Sequence, residues 1–331
     1  MNDYLDQLVG DRIDQLMTVE MRPLNGGLPA GYVKPLYDIC RNFHNEPLSM
    51  KAAKALLHKV NEADTIFVVT GAGVAPNLPL GETDGPPGAI ALAATLMKAK
   101  KCNVVIVTEE LHLLPIQACI EVVKTEVDDF ARIVVETYKT GLKHGETFTK
   151  YLLNTYSPKA IVFVERDGPN IEGYFHGVRG DFRSPDIVGH AYLLADYAKD
   201  LDILTIGIGD GGNEVGFGKM RDDVAKVHPF KGISKGGFAS GLITITETDI
   251  TLAASVSNWG AYAVCAAIAY LLKSPHLLHN AEMERRTIEA CASAGGRDGA
   301  NSLQQASVDG IDLNGHMAFV QLLNSLVGIS K

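Results

Sequence analysis

Six short apolar runs, separated by segments of helical character, constrain the fold of this chain more than any other feature. The runs cover residues 65–70, 103–108, 133–135, 160–164, 202–206 and 250–254. They are apolar at successive positions, which is typical of strands that are buried on both faces. Strands that alternate with helices in this way pair in parallel. The sequence therefore predicts an α/β fold, a doubly wound and mostly parallel sheet with helices on both faces.

The first part of the chain differs from the rest. Its apolar residues have roughly helical spacing, and Ser49 is a plausible N-cap of a second helix. Apolar strands begin only at Thr65. We therefore expect an N-terminal helical segment over residues 1–64, packed on the main domain or on a partner subunit, and an α/β domain over residues 65–331. A homo-oligomer is expected.

Composition argues against several classes of partner. Of 331 residues, 46% are hydrophobic, and 30 Lys and Arg stand against 39 Asp and Glu, for a net charge of −9. No run of five basic residues occurs, so neither nucleic acid nor an anionic membrane is expected as a partner. Five scattered cysteines without a C-x-x-C motif fit a reducing compartment and buried positions. Because the acidic N-terminus lacks the pattern of a secretory signal or a transit peptide, we expect a cytoplasmic protein.

Residues 206–220 form a glycine-rich stretch that follows an apolar run, I-G-I-G-D-G-G-N-E-V-G-F-G-K-M. In an open parallel sheet, ligands bind beyond the carboxyl ends of the strands. Glycine lets the main chain approach a ligand and direct N–H groups at an anion. Two carboxylates lie among these glycines, and we predict that Asp210 and Glu214 are catalytic. A tight turn that needs glycine only for its shape is the alternative. The residues predicted to bind the substrate here are Gly211, Gly212 and Asn213.

Other strands are also followed by polar loops. After the first strand, residues 81–89 read G-E-T-D-G-P-P-G-A. Proline is tolerated in the first turn of a helix, where free amides can hold a carboxylate. Glu82 and Asp84 form a second pair of catalytic candidates, with a solvated loop as the alternative. The residues of these loops that are predicted to bind the substrate are Thr83, Gly85, Arg179, Ser257 and Asn258. For Arg179 the alternative role is a structural ion pair, and for Asn258 it is a helix cap.

Cofactor motifs are weak in this sequence. The histidines lack zinc-ligand spacing, and no G-x-S-x-G nucleophile motif is present. If a metal binds, the oxygen-rich acids favour Mg or Mn. A G-x-G-x-x-G pattern spans residues 207–212, but no apolar strand with an acid at its end follows, as a dinucleotide fingerprint requires. We therefore expect no organic cofactor and keep a nucleotide-dependent oxidoreductase as an alternative.

Three motifs taken together resemble the catalytic domain of the D-glutamate cyclase family. They are E-T-D-G-P-P-G-A at residues 82–89, G-D-G-G-N-E at 209–214 and S-N-W-G at 257–260. Residues 296–299, residues 308–310 and His316 are similar too, and the resemblance covers about residues 60–320. Asp167 departs from the pattern, since the family tends to have a small residue there. The resemblance implies a lyase that acts on a small acidic amino acid and closes D-glutamate to 5-oxo-D-proline with loss of water.

Such a ring closure makes three chemical demands. The α-ammonium must lose a proton, the charge of the γ-carboxylate must be masked, and a hydroxide equivalent must leave with a proton. Acids in different environments can divide the base and acid work, and Asp210 with Glu214 is the leading pair. A non-catalytic binder of a small acidic metabolite is the alternative of a different class. The groups expected to hold the α-carboxylate are Asn213, Asn258 and the helix start at residues 85–89.

Overall fold

A parallel sheet forms the centre of the computed structural model, which describes residues 2–21, 28–125, 127, 133–230, 233, 235 and 241–328. The strands of the sheet are β1 (Thr65–Thr70), β2 (Asn103–Glu109), β3 (Val134–Tyr138), β4 (Ala160–Val164), β7 (Leu204–Gly209) and β8 (Ile250–Ala253). They lie in the order β3-β2-β1-β4-β7-β8, and every pairing is parallel. The order reverses between β1 and β4, and the crevice at such a point is where open α/β sheets bind ligands.

Two short antiparallel hairpins lie outside the sheet. One consists of β5 (Phe175–His176) and β6 (Phe182–Arg183), and the other of β9 (Ser307–Val308) and β10 (Ile311–Asp312). The α-helices of the described residues are α1 (Asn2–Met17), α2 (Val33–His44), α3 (Leu48–Lys59), α4 (Pro86–Lys100), α5 (Leu113–Lys124), α6 (Leu142–Tyr156), α7 (Leu193–Ala198), α8 (Arg221–Val227), α9 (Ser257–Leu271), α10 (Ala281–Ser293) and α11 (Leu313–Gly328).

Both faces of the sheet are covered by helices. Successive side chains of a strand point to opposite faces. In β1, Ile66 and Val68 belong to the core that includes α4 and α9. Phe67 and Val69 belong to a second core that includes α6 and α7. Because both sets are buried, the strand is apolar at every position, and the prediction of a doubly wound α/β fold is confirmed.

The N-terminal helices pack on this body. Helices α1 and α3 contact α9, and α2 contacts β8. Their side chains Ile13, Leu36 and Leu56 lie in the same core as Ile66 of the central strand. The segment therefore shares the core of the sheet, and the boundary between residues 64 and 65 stays a prediction.

A buried carboxylate joins α1 to α3. Asp14 accepts hydrogen bonds from the backbone N–H groups of Leu48 at 2.6 Å and Ser49 at 3.1 Å, and from the Tyr37 hydroxyl at 2.9 Å. The prediction that Ser49 is the N-cap is wrong, because α3 begins one residue earlier and Pro47 precedes it. The first amides of α3 are instead satisfied by a side chain from another helix.

Two predicted elements end elsewhere than expected. The strand predicted over residues 202–206 is β7, which runs on through Gly207 to Gly209. A Cβ atom on Gly207 would lie 2.1 Å from the Val215 carbonyl oxygen, so the close approach of two backbones requires glycine there. The sequence also predicts a helix from about residue 185 to residue 199, where the structure has a 3-10 helix at Pro185–Ile187 and the short α-helix α7.

Two predictions from composition concern membranes and cysteines. Across the described ranges, no helix is both long and apolar enough to cross a lipid bilayer. All five cysteines are buried and free, so the prediction of buried cysteine positions is confirmed.

Replacing Asp14 by Asn is expected to lower the free energy of unfolding by about 2–3 kcal/mol, because an amide removes an acceptor and buries a donor against the α3 amides. Urea unfolding measures the change. The control is Asp11→Asn in the same helix, where the side chain is 39% exposed and pairs loosely with Arg41. This control is expected to cost less than about 0.5 kcal/mol. Equal losses in the two variants would contradict the capping role.

Candidate functional site

A cavity of about 280 Å³ lies beyond the carboxyl ends of β1, β4 and β7. Its walls come from the loops that follow these strands, from the β5–β6 hairpin and from the tail loop that includes Gly299 and Asp309. The volume lies at the small end of ligand pockets, which suits a metabolite of few atoms. The acidic residues that line the cavity are Glu82, Glu165, Asp167, Asp181, Asp210, Glu214 and Asp309.

The predicted site residues divide into two groups around this cavity. Those that line it are Asp210, Glu214, Glu82, Arg179 and Asn213. Those that lie behind the lining are Asp84, Thr83, Gly85, Gly211, Gly212, Ser257 and Asn258. The hydrogen bonds of the second group join these residues to helix starts and to neighbouring loops.

The glycine loop holds the side chain of Glu214. Its Oε1 atom accepts a hydrogen bond from the N–H of Gly211 at 3.0 Å, and its Oε2 atom accepts one from Gly212 at 2.7 Å. The two amides that were expected to bind a substrate carboxylate therefore bind a carboxylate of the protein, because a buried loop must satisfy its own N–H groups. Burial raises the pKa of Glu214 to about 7, although the amide hydrogen bonds act in the opposite direction.

Asp84 caps a helix that is distant in the sequence. Its Oδ2 atom accepts a hydrogen bond from the N–H of Ser257, and its Oδ1 atom accepts one from the N–H of Asn258, both at 2.8 Å. These are the first amides of α9. A carboxylate at a helix N-terminus also interacts favourably with the helix dipole. The structure thus gives this predicted catalytic residue a capping contact.

Asn258 caps α4 in return. Its Oδ1 atom accepts hydrogen bonds from the N–H groups of Gly85 at 3.0 Å and Gly88 at 2.7 Å, and its Nδ2 atom donates to the Thr83 carbonyl at 3.0 Å. Pro86 and Pro87 have no N–H to offer. The helix start that was expected to hold a substrate carboxylate is therefore already occupied by this side chain.

Two hydroxyl groups hold neighbouring loops. Thr83 donates to the Ser307 carbonyl at 2.7 Å, which joins the loop after β1 to the tail. Ser257 donates to Oε2 of Glu165 at 2.6 Å. Burial raises the pKa of Glu165 well above its ordinary value, and the Glu214 carboxylate adds to the effect. Glu165 was not among the predicted site residues, since its only signal was its place directly after an apolar strand.

An ion pair that the sequence did not predict lies in the cavity wall. The Arg183 guanidinium on β6 donates to Oδ2 of Asp167, and both residues line the cavity. The Oδ1 atom of Asp167 accepts from Nδ2 of Asn213 at 3.0 Å. Arg179, the predicted carboxylate clamp, lies in the turn of the same hairpin and is half-buried. No pattern distinguishes Arg183 from a surface arginine in the sequence.

A chain of hydrogen bonds anchors Asp309 at the cavity. The Trp259 indole N–H donates to Nδ1 of His316 at 2.9 Å, and Nε2 of this histidine lies 3.3 Å from the Val308 carbonyl. The next residue, Asp309, has a φ of 52°, which non-glycine residues rarely adopt. Burial and the neighbouring Asp309 carboxylate raise the pKa of Glu82 well above its ordinary value.

Two groups of carboxylates could hold a cation. In each, one oxygen per residue lies within 4.8 Å of the others, and Asp210 belongs to both. The groups are Asp84, Asp210 and Asp309, and Glu165, Asp210 and Glu214. The buried Oδ1 atom of Asn213 accepts no hydrogen bond from any described residue. A Cβ on Gly211 would lie 2.6 Å from this atom and 3.0 Å from Oε1 of Glu214. Acceptor oxygens gathered in this way fit the preferences of Mg or Mn.

Replacing Asn258 by Ala is expected to lower the free energy of unfolding by about 2–3 kcal/mol, because the N–H of Gly88 loses this acceptor and the N–H of Gly85 keeps only Asp84. Urea unfolding tests this, with Asn61→Ala at an exposed position as the control. The control is expected to stay within about 0.5 kcal/mol of the wild type. Wild-type stability in Asn258→Ala would show that the reciprocal caps do not hold the two loops.

Comparison with known proteins shows the family to which the chain belongs. Residues 38–324 match the model of a family described as D-glutamate cyclase-like, C-terminal. Human mitochondrial D-glutamate cyclase is 32% identical to this chain over 238 residues, which are 68% of this chain and 35% of that protein. The chain thus spans about a third of the length of this relative. Since the family model covers most of the chain, the chain belongs to the D-glutamate cyclase-like, C-terminal family.

Proposed function

We propose that this chain is a hydro-lyase that closes D-glutamate to 5-oxo-D-proline with loss of water. The observation that supports this proposal most is a cavity of about 280 Å³ lined by carboxyl groups with raised pKa values. The reaction removes two protons from the ammonium nitrogen, one before and one after it attacks the γ-carboxyl carbon, and delivers two protons to the γ-oxygen that leaves as water. Acids whose environments separate their pKa values can divide these two tasks.

Glu214 is the proposed base. Its pKa of about 7 places a substantial fraction in the carboxylate form at neutral pH, and a base is most effective when its pKa lies near the working pH. The amides of Gly211 and Gly212 fix its two oxygens. Asp210 lines the cavity from the same loop and is proposed to hold the substrate ammonium beside the base.

Glu165 and Glu82 are the proposed acids. Burial raises both pKa values well above the ordinary range, which favours the protonated form of both groups. The Ser257 hydroxyl donates to Oε2 of Glu165, which leaves Oε1 to carry the proton. Protonation of the departing hydroxyl by one of these groups makes it leave as water. A cavity of this size also keeps the amine close to the γ-carboxyl group, which lowers the entropic part of the barrier.

A Mg or Mn ion is proposed as an aid to this chemistry. Glu165, Asp210 and Glu214 would hold it, with Glu165 giving up its proton on binding and Glu82 remaining as the acid, and when bound the ion would mask the charge of the γ-carboxylate. Metal ions bind the deprotonated form of a carboxyl group. Binding is therefore expected to strengthen as the pH rises through about 7, where Glu214 loses its proton.

The two alternatives have weaker support. A dinucleotide fingerprint needs a helix directly after its glycines, but Gly207 lies inside β7 and α8 begins only at Arg221. A non-catalytic binder would hold D-glutamate unchanged, which the assay below distinguishes. The absence of an organic cofactor, a cytoplasmic location and a homo-oligomer remain predictions.

Incubation with D- and L-glutamate, with and without Mg or Mn, followed by chiral chromatography, tests the proposed reaction. We expect 5-oxo-D-proline from the D-isomer. Asp210→Asn and Glu214→Gln should each lower turnover by at least about 100-fold, because each removes a group that handles the ammonium proton. Glu110→Gln, at an exposed position, is the control and should keep full turnover. Unchanged circular dichroism would establish that the variants fold. No product from either isomer, or near-normal rates in both site variants, would contradict the proposal.

Thermal unfolding with millimolar Mn tests the cation separately. A cation that binds the native state raises its melting temperature, and the rise should be larger at pH 8 than at pH 6. Asp210→Asn should abolish the rise, since this residue belongs to both groups of carboxylates. Asp309 belongs only to the group that is not proposed to hold the ion, so Asp309→Asn should keep the rise in melting temperature. No shift in the wild type, or an equal shift in Asp210→Asn, would contradict the cation site.

A further inference from the structure

Arg183 carries donors that no described residue uses. Its side chain is 13% exposed and lines the cavity. The guanidinium has five N–H donors, and within the described ranges its hydrogen-bond acceptor is Asp167, reached through Nη1. Nε and Nη2 make no hydrogen bond to a described residue, and neither is one of the buried atoms that lack a partner. Both donors are therefore exposed, and a ligand in the cavity can reach them.

The position of the guanidinium is fixed by Asp167, which bonds to Arg183 through one oxygen and to Nδ2 of Asn213 through the other. A Cβ atom on Gly177 would lie 3.2 Å from Nη2, so glycine at this position leaves room for the guanidinium. A fixed planar group with a free edge is suited to a carboxylate, which accepts two parallel hydrogen bonds.

An anionic substrate needs such a cation here. Most of the charged groups that line the cavity are acids, and burying a carboxylate among them without a partner is costly. Although burial opposes its charge, the carboxylates of Asp167 and Glu82 raise the pKa of Arg183, which stays protonated. Arg179 also lines the cavity, but of the two only Arg183 has an ion pair with a described carboxylate that fixes its position.

We propose that Arg183 determines substrate specificity by anchoring the carboxylate that is not cyclised, through Nε and Nη2. This inference rests on the proposed function and deepens it. In the closure of glutamate, the γ-carboxylate loses its charge, whereas the α-carboxylate keeps its charge from substrate to product. A permanent cation therefore matches the α-carboxylate, and the preferred substrates are small amino acids that carry a free carboxylate besides the reacting one.

Calorimetric titration tests this anchor through equilibrium binding. The ligands are D-glutamate, 5-oxo-D-proline and the α-amide of each, in which the charged carboxylate is replaced by a neutral group of similar shape. The wild type should bind each acid on the order of 100-fold more tightly than its amide. Arg183→Gln should bind acid and amide equally weakly. Arg183→Lys should lie between them, since lysine keeps the charge but loses the fork.

Arg221→Gln on α8 is the control and should keep the wild-type preference, since its partner is the adjacent Asp222. Thermal unfolding establishes that each variant folds. In a turnover assay, Arg183→Gln should raise KM more than it lowers kcat, because the anchor holds substrate and transition state alike.

The outcomes separate this inference from the proposed reaction. Binding that depends on Arg183 without turnover would overturn the cyclase reaction and leave the anchor standing. Turnover with an unchanged preference for acid over amide in Arg183→Gln would overturn the anchor alone. Failure of the wild type to bind any of the four compounds would overturn both.

Discussion

The crowding of carboxyl groups around one small cavity is the constraint on which the rest of the site depends. Buried carboxylates that lie close together repel one another, so each needs a partner or a proton. The structure supplies partners for three of them in different ways. Asp84 binds the first amides of α9, Asp167 binds the Arg183 guanidinium, and Glu214 binds the amides of the glycine loop. Burial and neighbouring carboxylates raise the pKa values of Glu82 and Glu165, which favours their protonated forms. Acids in different states of protonation are what a proton-transfer reaction requires.

Much of the fold could be predicted because its cause is local. Strands that are buried on both faces are apolar throughout, and β1 and β4 show this in the sequence. The end of β7 could not be placed, since Gly207 allows the close approach of Val215, which the loop after β7 folds back against the strand. The cap of α3 was also misplaced, because Asp14 reaches it from another helix. Such contacts depend on the tertiary structure, which propensity does not contain.

The site could be predicted in outline but not in detail. Asp210, Glu214 and Glu82 were found because acids in loops after parallel strands meet at one edge of the sheet. The motifs also include residues that hold the lining without being part of it, such as Thr83 and Asn258. Local sequence cannot distinguish the residues that line the cavity from those that hold the lining in place, since both kinds occur in the same motifs. Glu165 and Arg183 were missed because their place in the cavity depends on the order of the strands and on the β5–β6 hairpin.

The protonation of these carboxyl groups is the property that supports the account most directly, and a carbon-13 NMR titration of side-chain-labelled glutamate measures it. Variants Glu214→Gln, Glu165→Gln and Glu82→Gln assign the three signals. The account predicts that the Glu214 signal titrates near pH 7 and that the other two titrate well above the ordinary value of about 4.3 for glutamate. Titration of all three groups at that ordinary value would contradict it.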